Sequence, residues 1–183
     1  MWLALAVLGL VSSVGCGGSD KVTVASTDEP LDPWQGPLAA LFDDSINPAA
    51  VGLSLEGTRA QDDPMIRSRC GTADLVARLR INTVTRDAVG AKITYHLILH
   101  VGEPPLLRTK LADRTLELVI HQSSSAFGIV SSLEPSLRGR TFIGFVRRFA
   151  GPHGPELHWM LTADTPEVAA VVSAATIGEA AEK

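Results

Sequence analysis

The sequence predicts a mainly β domain with flanking helices. It is an α+β chain built on five antiparallel strands that form a small barrel or an open sheet. Three observations predict it. Apolar and polar residues alternate with a period of two through Leu75–Thr85 and Lys92–Val101, as in strands with one buried face. Thr115–His121, Thr141–Phe149 and Glu156–Thr162 are of strand length and are separated by turn- or loop-forming residues. A helix-forming stretch stands between the third and fourth strands, and another beginning at Pro166 follows the fifth.

The second strand shows the alternation most clearly. Ile93, Tyr95, Leu97, Leu99 and Val101 form an apolar row, and Thr94, His96, Ile98 and His100 point the other way. In the first strand Leu75, Ala77, Leu79 and Ile81 oppose Arg78, Arg80 and Asn82. The short connector between them, with Asp87 and Gly90, predicts a hairpin. Gly102-Glu103-Pro104-Pro105 stops the second strand, because proline cannot continue a ladder. The third strand turns Leu116, Leu118 and Ile120 inward. Ser123–Leu137 then predicts a cap and a short helix ending before Pro135. The fourth strand is apolar on both faces, with Phe142 and Val146 on one and Ile143, Phe145 and Phe149 on the other. Gly144 reads as a bulge or bend. The fifth places Leu157, Trp159 and Leu161 inward, and His153 and His158 read as surface residues.

Ahead of this domain the chain changes character. Residues 1–15 read as a lipoprotein signal peptide, with an apolar run from Trp2 to Val14 that is too short to span a bilayer. Residues 16–32 read as a flexible tether. Residues 33–73 read as a helical and loop front segment that packs on the β domain of residues 74–183. In the front segment, Pro33–Phe42 and Asp63–Cys70 suit short helices, Ile46–Leu53 suits a further turn, and the pairs Asp43-Asp44 and Asp62-Asp63 read as solvated loop charge. From Gly17 to Met65 the net charge is −7, and from Ile66 to the end it is +3. So small an imbalance bears on solubility and weak surface attraction, and with Tyr95 on the core-facing row the strands offer no aromatic platform for a nucleic-acid partner.

Ser13-Val14-Gly15-Cys16 resembles the lipobox of bacterial lipoproteins, in which the Cys becomes the acylated first residue. The resemblance implies lipidation of Cys16, a membrane anchor and a cell-envelope location. The outer membrane is preferred to the inner, because Gly17 is not the Asp that retains some such proteins. Ordinary cleavage after the small residues Ser13 and Gly15 is the alternative. The five-strand order with one interposed helix resembles the OB-fold barrel over Asp74–Thr162. The phrases DPWQGPLA at Asp32–Ala39, ADLVAR at Ala73–Arg78, RTFIGF at Arg140–Phe145 and TPEVAA at Thr165–Ala170 are similar to a family of uncharacterised bacterial predicted lipoproteins. Some of these are labelled cobalamin ABC transporter substrate-binding protein, a label implying a small-ligand transport accessory.

No motif for catalysis stands out: there is no G-x-S-x-G and no H-E-x-x-H. The cysteines, Cys16 and Cys70, do not make a structural zinc site. His96 and His100 share a face but lie roughly 13 Å apart along the strand, too far for one metal ion. Arg147-Arg148 reads as a solvated strand end, with contact to anionic lipid headgroups as the sharper alternative. The expectation is therefore a non-catalytic envelope lipoprotein without cofactor, a binding or structural module for an envelope protein or component. Arg78, Arg80, His96 and His100 are the candidate ligand face. A small-ligand transport role and an enzyme with an unrecognised site are the alternatives.

Overall fold

The computed structural model describes residues 30–53, 59–107, 110–111 and 113–181. The signal peptide, Cys16 and most of the tether lie outside the described residues. The elements run α1 (Gly36–Leu41), β1 (Ser45–Ile46), a 3-10 turn (Pro48–Val51), a second (Ala60–Asp62), α2 (Ile66–Thr72), β2 (Leu75–Val89), β3 (Lys92–Val101), β4 (Thr115–His121), α3 (Phe127–Leu137), β5 (Thr141–Gly151), β6 (Gly154–Ala163) and α4 (Pro166–Ala181).

The strands form one curled sheet in the order β1-β6-β5-β2-β3-β4. The five long strands pair with one another only antiparallel, as expected. The expected count of five needs correcting to six. The two-residue β1 joins β6 in parallel, Ser45 opposite Met160, in a stretch where the sequence suggested a turn. A strand that short carries no periodicity to read. With β1 and β4 at its two edges, the sheet is a half-barrel and not a closed one.

The curl creates two cores. Inside it, Leu79, Leu97, Leu99, Leu118 and Trp159 pack with Val130 and Leu137 of α3. Outside it, Val76, Ile143, Phe145, Phe149 and Met160 pack under Phe42, Ile66 of α2, and Val168 and Val172 of α4. β5 feeds both cores, which is why both of its faces are apolar. β3 and β4 have only their inner faces covered, so their polar rows survive.

Several local expectations change. β2 slips register between Ile81 and Thr83, so the bulge sits at Asn82 and not in β5. Gly144 pairs regularly with Ala77 and Leu161. Its missing side chain makes room for Leu79, whose Cδ1 would lie 2.2 Å from an added Cβ. α3 continues through Pro135 to Leu137. Proline there costs one hydrogen bond near the helix end, while Leu137 is fully buried in the inner core. α1 starts at Gly36 with Pro37 in its first turn, three residues later than Pro33, because Asp32–Pro33 lies along Ala150 of β5 instead.

Candidate binding face

The outward residues of β2, β3 and β4 form the one broad sheet surface that no described helix covers. The antiparallel register sets Arg80 opposite His100, and His100 opposite Thr115. Both Arg80 and His100 are exposed. His96 sits opposite Thr85 and Val119, on the far side of Ile98. Its Nδ1 lies 2.7 Å from Glu117 Oε1, and its Nε2 lies 3.3 Å from Asp87 Oδ2. It thus clamps three strands through two carboxylates. Arg78 donates from Nε to Asp164 Oδ1 at 2.9 Å, just ahead of α4. Of the four expected residues, the fold therefore brings Arg80 and His100 together, and it commits His96 and Arg78 to neighbouring carboxylates. The exposed Val119 and half-exposed Ile98 lie diagonally between these charges.

Two polar clusters, built around the buried side chains Asp44, His158, Asp74 and Arg148, were not legible in the sequence. The first joins Asp44, His158 and Trp34. Asp44 is 8 % exposed and has φ +52°, a left-handed conformation that Asp tolerates better than most residues. Its Oδ1 accepts from the Trp159 amide at 3.2 Å, and its Oδ2 lies 2.9 Å from His158 Nδ1. The His158 ring stacks on Trp34 at 3.8 Å between centroids and meets Phe149 edge-on. The Trp34 indole N–H donates to the Phe42 carbonyl at 2.8 Å. The surface reading of His158 and the solvated reading of Asp44 are both overturned. The alternation correctly put His158 on the outer face, but the front segment folds over that face and buries it. His153 is exposed in its turn, as expected.

The second cluster corrects Arg147-Arg148. Arg148 is buried, and Asp74 Oδ2 accepts from both its amide (2.9 Å) and its Nε (3.3 Å). Arg147 donates to Asp32 Oδ2 at 2.6 Å and to the Thr72 carbonyl at 2.7 Å. These cations hold the front of the chain on β5, so neither the solvated strand end nor the lipid contact survives. Asp63 is likewise engaged, 2.6 Å from the buried Arg69 Nη1. Cys70 is half-buried, and burial pushes its thiol up to about 11.

No protein-family model, curated protein or solved structure matches the chain. The functional reading therefore rests on residues and geometry alone. Among the described residues, no group of three or more His, Cys, Asp or Glu side chains is placed to hold a metal ion. No described helix is long and apolar enough to cross a membrane.

Proposed function

We propose that this chain is a non-catalytic lipoprotein of the bacterial cell envelope, anchored through Cys16. It binds an envelope protein through the outer face of β2, β3 and β4. The observation that carries the reading is the uneven cover of the sheet. α2 and α4 occupy the outer side over β5 and β6, and the other half is left to solvent. That free half has an apolar centre, Ile98 and Val119, ringed by Arg80, His96, His100 and Glu117. An apolar centre with a polar rim suits protein recognition.

The anchor reading is supported by the apolar run that ends at Cys16. Residues 17–29 separate that Cys from the first described residue, a contour of at most roughly 45 Å. The domain is thereby held near the bilayer and given a choice of orientation. We read the fold as an opened OB-like barrel. The neighbours β2–β3, β3–β4, β2–β5 and β5–β6 fit that barrel, with closure missing between β4 and β6. Fold alone names no ligand.

The test uses whole cells. A photo-crosslinking residue at His100 or Val119 should capture a discrete membrane-associated protein, and one at Gln61 should not. Equal capture at all three positions, or none, would sink the interface. Cys16→Ala should release the protein from the membrane fraction, and unchanged partition would sink the anchor.

A further inference from the structure

The antiparallel register lines up one transverse row of side chains on the outer face. Thr115 of β4 stands opposite His100 of β3, His100 opposite Arg80 of β2, and Arg80 opposite Thr141 of β5. All four are exposed. Neighbouring strands lie about 4.8 Å apart, so the row crosses roughly 14 Å of sheet. Each member can donate a hydrogen bond, from a hydroxyl, an imidazole, a guanidinium and a second hydroxyl in turn. Among the described residues, none of the four side chains has a hydrogen-bond or ion-pair partner. The nearby carboxylates are taken, Glu117 by His96 and Asp164 by Arg78. The turn after α3 adds a second cation. Gly139, at φ +79°, brings this turn against Arg80, and a Cβ there would lie 4.0 Å from Arg80 Nη2. Arg138, the residue before it, is exposed and likewise has no partner among the described residues.

From this geometry we infer a binding site for a phosphate monoester group, seated on Arg80. A planar guanidinium grips two oxygens of an oxyanion. A carboxylate has only those two to offer. A phosphate monoester has a third oxygen left for the flanking His100 or Thr141. Its charge of about −1.5 to −2 near pH 7 also calls for a second cation, which Arg138 supplies. The row shares Arg80 and His100 with the rim of the proposed protein-binding face, but it needs no protein partner.

The test titrates the ¹⁵N-labelled full-length chain with inorganic phosphate and with acetate at pH 7.5 and constant ionic strength, followed by amide shifts. Phosphate should shift Arg80, His100 and Thr141 saturably, with millimolar affinity, and acetate should bind about fivefold more weakly. Arg80→Gln should weaken phosphate binding about tenfold, and Arg138→Gln about threefold. Arg86→Gln, on the exposed hairpin, should leave it unchanged. Competition then separates a soluble source of the phosphate group from a lipid headgroup, read from the ³¹P line of inorganic phosphate that the chain broadens. Glycerol phosphate in solution or phosphatidic acid in phosphatidylcholine vesicles should relieve the broadening, and whichever does so at the lower phosphate concentration identifies the source. The inference is overturned if phosphate and acetate bind alike, if Arg80→Gln leaves the affinity unchanged, if the shifts spread evenly over Arg59, Arg86 and Arg114, or if neither competitor displaces phosphate. If Arg80→Gln alters the fold, the comparison of the two anions on the natural chain still decides. Failure here leaves the crosslinking result at Val119 standing, and failure there leaves the titration standing.

Discussion

At the scale of single residues, Asp44 is the side chain on which most depends. It serves as acceptor for the Trp159 amide and as partner to His158, and it sits at φ +52°. Asp44→Ala removes both interactions and puts Ala in a left-handed conformation, at a cost of about 2–4 kcal/mol. Asp44→Asn keeps an acceptor and tolerates that conformation, so it should cost less than half as much. Urea denaturation of the two variants checks this, and equal midpoints would mean that Asp44 does not hold the front segment. Cys70 makes the opposite point, that a thiol can be present and inert. Its thiol is held at about 11 by burial, up from an ordinary 9.0, so the thiolate is about a hundredfold scarcer near pH 8. Alkylation by iodoacetamide should be correspondingly slow at pH 8 and still rising at pH 10. A rate at pH 8 equal to that of a cysteine in a short peptide would show that the site is open.

At the scale of elements, the phase of each strand is the quantity to test. Leu97 is fully buried, whereas His96 next to it lies on the open face. Leu97→Asp buries a carboxylate and should cost several kcal/mol, against a total stability of roughly 5–15. His96→Ala breaks a half-exposed clamp and should cost under about 1 kcal/mol. Similar melting temperatures for the two would show the strand turned over. Gly144 tests the packing of β5 on β2. Its Cβ would collide with Leu79, so Gly144→Ala should cost about 1–3 kcal/mol by overpacking. In a Leu79→Val background the same methyl should cost less, and a double-mutant cycle with no coupling would refute this account.

At the scale of the whole molecule, the two cores explain why one half of the sheet is shielded and the other half free. They also bound what the interior can hold. Leu79, Leu97, Leu99, Leu118 and Trp159 are fully buried within the curl. Among the described residues, the cavity lined by Leu75, Val101 and Leu111 measures about 230 Å³, far too small for a corrinoid. Nanomolar capture requires about −12 kcal/mol and a deep cleft to supply it. Cobalamin should therefore bind no tighter than high micromolar. Calorimetric titration of the full-length chain measures this directly, and a stoichiometric complex of sub-micromolar Kd would restore the transport reading.

The sequence by itself determined the long strands, their phases and their order, because period-two alternation is a local property that each strand writes independently. It placed β3 and β4 within their observed bounds, and it identified β5 as the strand covered on both sides from Phe142, Ile143, Phe145 and Phe149. It also put Arg78, Arg80, His96 and His100 on one outward side. Only the tertiary structure decided which outward residues stay outward. His158 has the same alternating pattern as His96, yet Trp34 and Asp44, more than a hundred positions earlier in the chain, come to lie over it. Arg148 found Asp74 in the same way, across the join between β5 and the start of β2. Periodicity assigns a side chain to a face, but whether that face meets water depends on distant segments folding back over it, and no local pattern encodes that contact.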